Sequence, residues 1–127
     1  MGGSERPGRA DFPKAARLLH RRDFDRVSQH GTVGFSRHFK VVASLSARDA
    51  GGRPRLGLIV PRAVGGAVAR NRVKRLVREW FRQAQASFPP ELDVVVIARR
   101  GAARLTLAET ARELAGATRW RLRGERR

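Results

Sequence analysis

The sequence predicts one α+β domain, a two-layer α/β sandwich with a mixed sheet of about four strands and about three helices, in the order α-β-β(-β)-α-β-α. Three observations predict it. Residues 67–87 carry apolar side chains at helical spacing. Residues 35–47 alternate as a half-buried strand does, and 93–99 hold the unbroken apolar run Val94-Val95-Val96-Ile97-Ala98 of a strand buried on both faces. The strand–helix–strand step from 55 to 99 implies parallel pairing, because parallel neighbours need a crossover between them. A length of 127 residues suits one core.

Residues 1–16, rich in Gly, Pro and Arg, read as a flexible basic arm. The domain spans 17–120. Arg21 to His30 reads as a short helix with Leu19, Phe24 and Val27 inward and Gly31 placed to cap its end. In the next segment Phe39, Val41, Ala43 and Leu45 point one way, and His38, Lys40, Val42, Ser44 and Ser46 the other; a break within it would make two strands. Ala50-Gly51-Gly52-Arg53-Pro54 predicts a hairpin turn into the strand Arg55 to Val60, which Pro61 ends. Arg62 to Gly66 is a loop into the long helix, and Pro89-Pro90 stops that helix. Thr106-Leu107-Ala108-Glu109 is a capping box opening a last helix with Leu107, Ala111 and Leu114 inward. Residues 121–127 form a basic tail.

Lys and Arg total 28 against 11 acids, a formal charge of +17. A folded domain so unbalanced repels itself until a polyanion neutralises it. Nucleic acid is the first such partner and an anionic membrane surface the second. Only Lys14, Lys40 and Lys74 are lysines. Arginine's flat fork suits phosphates and bases, although a G+C-rich codon bias accounts for much of the Arg excess. It does not account for the net charge. No cysteine is present, which excludes disulfides, thiolate chemistry and cysteine-held zinc. No apolar run approaches the ~18 residues of a membrane span, and no apolar stretch of a secretory signal follows the first basic residues. The expected location is the cytoplasm.

The long helix concentrates the charge. At 100° per residue from Val73, its apolar stripe (Val73, Leu76, Val77, Trp80, Phe81, Ala84) spans about 300° through 80°. Lys74, Arg78, Asn71, Arg82 and Arg75 fall between about 100° and 200°, Arg70 at the border near 60°, and Arg72 on the far flank beside Glu79. A solvated helix face would alternate signs, yet here only Arg75 and Glu79 can pair at i,i+4. Unpaired cations on successive turns repel, so the ridge is read as a polyanion surface. Asn71 among them can read a base edge or a 2′-hydroxyl.

Ala69-Arg70-Asn71-Arg72-Val73-Lys74-Arg75-Leu76-Val77-Arg78-Glu79 closely resembles the Arg-Asn-Arg motif of the bacterial ribonuclease P protein family. Gly57-Leu58-Ile59-Val60-Pro61-Arg62 with Gly65-Gly66-Ala67-Val68, Arg22-Asp23-Phe24 with His30-Gly31, and Asp93 to Arg99 are similar to the family's strand, glycine loop, first helix and last strand, in the family's order. The likeness covers about residues 17–120. It implies a left-handed crossover around the basic helix, against the usual right-handed rule. It implies two partners, the catalytic ribonuclease P RNA and precursor tRNA, with no membrane and no obligate protein partner. It implies that the RNA holds Mg²⁺ and performs the hydrolysis that matures the 5′ end of tRNA, that the protein alone binds no metal, and that this chain has no catalytic residue. Arg70, Asn71, Arg72, Lys74, Arg75, Arg78 and Arg82 would meet the catalytic RNA. A cleft holding Phe24, Val42, Ile59 and Arg62 would take the single-stranded 5′ leader. Two cleft positions depart from the family pattern: Ser28 and Val42 stand where many members have aromatics, and the chain has no Tyr.

Other signals are weaker. Gly65-Gly66 lacks the phosphate-loop pattern and reads as a turn. His20, His30 and His38 show no metal spacing and read as ordinary polar residues. Asp23 and Asp25 lie about 200° apart on a helix and cannot share a metal. Trp80 and Trp120 read as core. A general binder of structured RNA, ribosomal or chaperone-like, remains the alternative. A protein-only nuclease lacks the clustered carboxylates it needs, and a DNA-compacting protein has only the charge in its favour.

Overall fold

The computed structural model describes residues 21–45 and 52–124, with side chains up to 119. The predicted arm, Leu19, the start of the turn at 50–54, the Trp120 side chain and residues 125–127 lie outside them. The described elements are α1 (Arg21–His30), β1 (Thr32–Phe35), β2 (Phe39–Leu45), β3 (Arg55–Ile59), α2 (Ala67–Ala84), β4 (Leu92–Ala98) and α3 (Leu107–Gly124). They form the expected α+β arrangement, with α3 continuing into the residues read as the tail. The sheet order is β1-β2-β4-β3; β3 pairs parallel to β4, as the crossover around α2 predicts, and the other pairs are antiparallel.

The hairpin falls one connection earlier than predicted. It joins β1 to β2 across Ser36–His38, where the Ser36 N–H bonds the Phe39 carbonyl at 2.9 Å. The predicted β2–β3 hairpin does not form, because β4 lies between those strands. The reason is in β4 itself. Its apolar residues project to both faces, and a strand of that kind is most stable with neighbours on both edges.

Phe39, Val41 and Ala43 of β2, Val94, Val96 and Ala98 of β4 and Leu56 of β3 face one way, under α2 and α3. Alpha2 lays its predicted stripe on them: Val73, Leu76, Val77, Trp80 and Phe81 are all buried. Trp80, Phe81 and Phe88 pack as a cluster with centroids 6.0–6.1 Å apart. In α3 the inner face is Thr110, Leu114, Ala117 and Thr118. Leu107, predicted inward, is exposed in the first turn, where the capping box forms instead: the Glu109 N–H donates to Thr106 Oγ1 at 3.1 Å and the Thr106 N–H to Glu109 Oε1 at 2.9 Å.

On the opposite face α1 buries Val27 against Val42 and Val95, with Phe24 and Ile97 partly covered. Gly31 serves by closeness rather than by a left-handed cap: a Cβ there would stand 2.5 Å from the Val27 carbonyl and 2.7 Å from Val42 Cγ1. Only a residue without a Cβ lets α1 turn so tightly into β1.

Candidate RNA interface

Alpha2 begins after the 3₁₀ turn Arg62–Val64 and Gly65, whose φ of 147° is available to glycine and strained for other residues. A Cβ on Gly65 would also meet Ala69 Cβ at 2.8 Å. The first turn of α2 contains no acid and has no side-chain cap. A helix N-terminus already carries partial positive charge, and Arg70, Arg72, Lys74 and Arg75 add to it. Such a helix end is stabilised when an anion arrives from outside.

The outer side of the helix matches the predicted ridge in part. Asn71, Arg75 and Arg78 are exposed, and Lys74 and Arg70 are half-buried. The Nε of Arg70 is buried without a hydrogen-bond partner among the described residues. Two predicted members are otherwise engaged. Arg72 turns to the loop after β4, donating from Nε to the Ala103 carbonyl at 3.0 Å and from Nη2 to the Leu105 carbonyl at 2.8 Å. From the flank of the helix, off the ridge, it clamps that loop to α2. Arg82 donates from Nε to Glu79 at 3.2 Å and bonds it again through Nη2. In place of the Arg75–Glu79 pair that the spacing allows, an i,i+3 pair forms, and the hydrogen bond from Arg82 lowers the Glu79 pKa against the opposing effect of burial.

Of the residues expected to form the cleft, Phe24 lies on α1, Val42 and Ile59 lie on the α1 face of the sheet, and Arg62 lies in the turn after β3. The register sets Phe35, Lys40, Ile97 and Ile59 in one row across all four strands, and Val33, Val42, Val95 and Gly57 in the next. Alpha1 covers Val42 and Val95 of the second row and leaves Val33 and much of the first row open. Phe24 is half-buried, while Ile59 and Arg62 are exposed. Val42 is 2 % exposed, so it packs beneath α1 as floor and offers no surface. Ile97 and Lys40, unpredicted, line the open row.

An ion network anchors α1. Asp93 is wholly buried and accepts from Arg55 at both oxygens, at 2.9 Å each, and from Arg26 Nη2 at 2.7 Å. Asp23 joins it, 3.3 Å from Arg26 and 3.9 Å from Arg55. The bond to Asp93 raises the Arg55 pKa further, with burial opposing. The signal for this was available: a lone acid opening an apolar strand in an acid-poor chain needs a cation when buried. At the other end of the sheet His38 Nδ1 lies 2.7 Å from Glu113 Oε2, and Glu113 Oε1 accepts from the His38 N–H and the Ser36 hydroxyl. Burial disfavours the Glu113 carboxylate, but these bonds outweigh it and lower its pKa. Among the described residues no three acids or histidines are grouped to hold a metal ion, and no helix is long and apolar enough to cross a membrane.

An α+β domain with a cationic helix on one side and a partly open sheet on the other is a nucleic-acid-binding module. Its relatives specify it further. The family model Ribonuclease P matches residues 12–120. The ribonuclease P protein component of Syntrophus aciditrophicus is 40% identical over 101 residues, 80% of this chain and 82% of that protein. The solved RNase P protein of Staphylococcus aureus superposes with a TM-score of 0.75 at 30% identity, covering 85% of this chain and 96% of that one. That of Thermotoga maritima gives 0.67 at 33% identity, covering 77% and 90%. The chain belongs to the ribonuclease P protein family, whose setting is a ribonucleoprotein with a partner RNA and a tRNA substrate, and whose work is RNA binding and 5′ processing of tRNA.

Proposed function

We propose that this chain, without a catalytic residue of its own, docks on the ribonuclease P RNA through α2 and holds the single-stranded 5′ leader of precursor tRNA on the open part of the α1 face, in the cytoplasm. The observation that carries the reading is the exposed Asn71–Arg75–Arg78 side of α2, with no acid in the helix's first turn to neutralise it. Cleavage and the Mg²⁺ it uses are assigned to the RNA. In support, the acids Asp23, Asp93 and Glu79 are bound to arginines and Glu113 to His38, which leaves them poorly placed to collect a cation. The left-handed sense of the β3–α2–β4 crossover is carried over from the family in the same proposal.

The test is reconstitution. Mixed with a bacterial ribonuclease P RNA at Mg²⁺ too low for the RNA alone, the protein should restore cleavage of precursor tRNA at the mature 5′ end. RNA binding without rescue would identify a general RNA binder. Cleavage without added RNA would place the catalytic site in the protein and overturn the reading.

A further inference from the structure

Phe35 ends the edge strand β1 and is 62 % exposed, beside Val33 at 41 % on the same face. A single exposed apolar side chain is ordinary; what sets Phe35 apart is the charge gathered around its ring. The Lys40 ammonium lies 6.0 Å from the ring centroid and the Arg99 guanidinium 5.8 Å from it, both within cation–π range. Arg37, in the β1–β2 turn, and Arg100, next to Arg99, are exposed, and the two segments are joined where the Arg99 N–H bonds the His38 carbonyl at 2.9 Å. Glu113, the acid bonded to this turn, is engaged by Ser36 and His38. The corner is therefore an aromatic platform set among four cations.

Its position in the sheet gives the direction. Phe35 lies in the same cross-strand row as Lys40, Ile97 and Ile59. At ~4.8 Å between strands, the row runs about 14 Å from Ile59 to Phe35. A duplex has its bases stacked inside and no use for such a platform, whereas single strands splay their bases onto aromatic rings while cations follow the backbone.

We infer that Phe35, with Lys40 and Arg99, forms a second stacking site for the single-stranded leader of precursor tRNA, beyond the Phe24 end of the cleft. This rests on the proposed leader-binding function and deepens it. Ser28 and Val42 leave the α1 end without further aromatics; the β1 edge supplies one, and the leader reaches it only when long enough to cross the row.

The experiment measures affinity of the reconstituted holoenzyme for mature tRNA and for precursors with progressively longer leaders, using wild type, Phe35→Ala and Phe35→Trp. Wild type should gain affinity in steps as the leader lengthens. Phe35→Ala should lose about fivefold or more of the gain from long leaders only, with mature tRNA and short leaders bound as before, and Phe35→Trp should keep the gain. An unchanged length dependence in Phe35→Ala overturns the inference. So does a loss shared equally by mature tRNA, which would put Phe35 against the tRNA body or the RNA subunit. Wild type that fails to distinguish precursor from mature tRNA overturns the leader-binding function itself. Circular dichroism of each variant confirms the fold, which an exposed side chain should leave intact.

Discussion

Under α2 and α3 the sheet buries a broad apolar layer that includes Phe39, Phe81, Trp80, Phe88 and Leu114. Under α1 it buries Val27, Val42 and Val95, and beside them a carboxylate held by two arginines. The cations nearest each core also differ in what they do. On the α1 face the cations Arg26 and Arg55 are turned inward to Asp93 and hold the fold. Around α2, Arg75 and Arg78 are turned outward, and the fold is held chiefly by hydrocarbon, with Arg72 turned in to the loop after β4. Where packing is sufficient, the surface above it is left for a partner; where packing is thin, ionic bonds tie down one helix and leave the rest of the sheet face uncovered.

Breaking the thicker face should cost the most. Phe81→Ala removes a wholly buried ring and should destabilise by about 3–5 kcal/mol, read as an earlier urea midpoint with all elements unfolding together. Asp93→Ala should cost about 3 kcal/mol by leaving Arg55 and Arg26 without their counter-ion. Hydrogen exchange should quicken in α1 and β3 first; uniform acceleration across the molecule would mean that the network serves the global core and that the two faces do not differ as described.

The third change sharpens the contrast. Replacing Lys74, Arg75 and Arg78 together with Ala should leave thermal unfolding almost unchanged. The slope of log affinity for the RNA against log salt should become shallower by about 2–3. An unchanged slope would remove α2 from the RNA surface. The smallest effect concerns Glu113. Its folded pKa lies below the ordinary 4.5, so the stability its bonds add is present above that value and lost as pH falls through the lowered one. Glu113→Gln should therefore be less stable than wild type at neutral pH, by on the order of 1 kcal/mol or less, and the difference should vanish in acid. A gap independent of pH would assign the role to shape instead of charge.

Legibility followed periodicity. Alpha2 was readable because its stripe repeats over 18 residues and its cations share the other side, and the parallel β3–β4 pair because a crossover admits little else. The hairpin was misplaced because a Gly-Pro-rich turn signals a reversal without naming the strand that fills the place beside it. The cleft was only half readable. Ile59 and Arg62 are exposed and Phe24 is only half-buried, but Val42 is covered, and Phe35, Lys40 and Ile97 enter the open row only through the register.

Composition and spacing alone determined that the chain is basic enough to require a polyanion, that one helix is apolar on one side and cationic on the other, and that the strands and helices alternate as an α+β domain. These are properties of near neighbours, which helical and strand periods bring together wherever the chain goes. The tertiary structure decided the rest: Arg72 spent on the loop after β4, Asp93 buried between Arg55 and Arg26, Val42 hidden beneath α1 and Phe35 aligned with Ile59. Each joins residues far apart in the chain, and such pairings are settled by which strand occupies the centre of the sheet, a competition over the whole core that no local window contains.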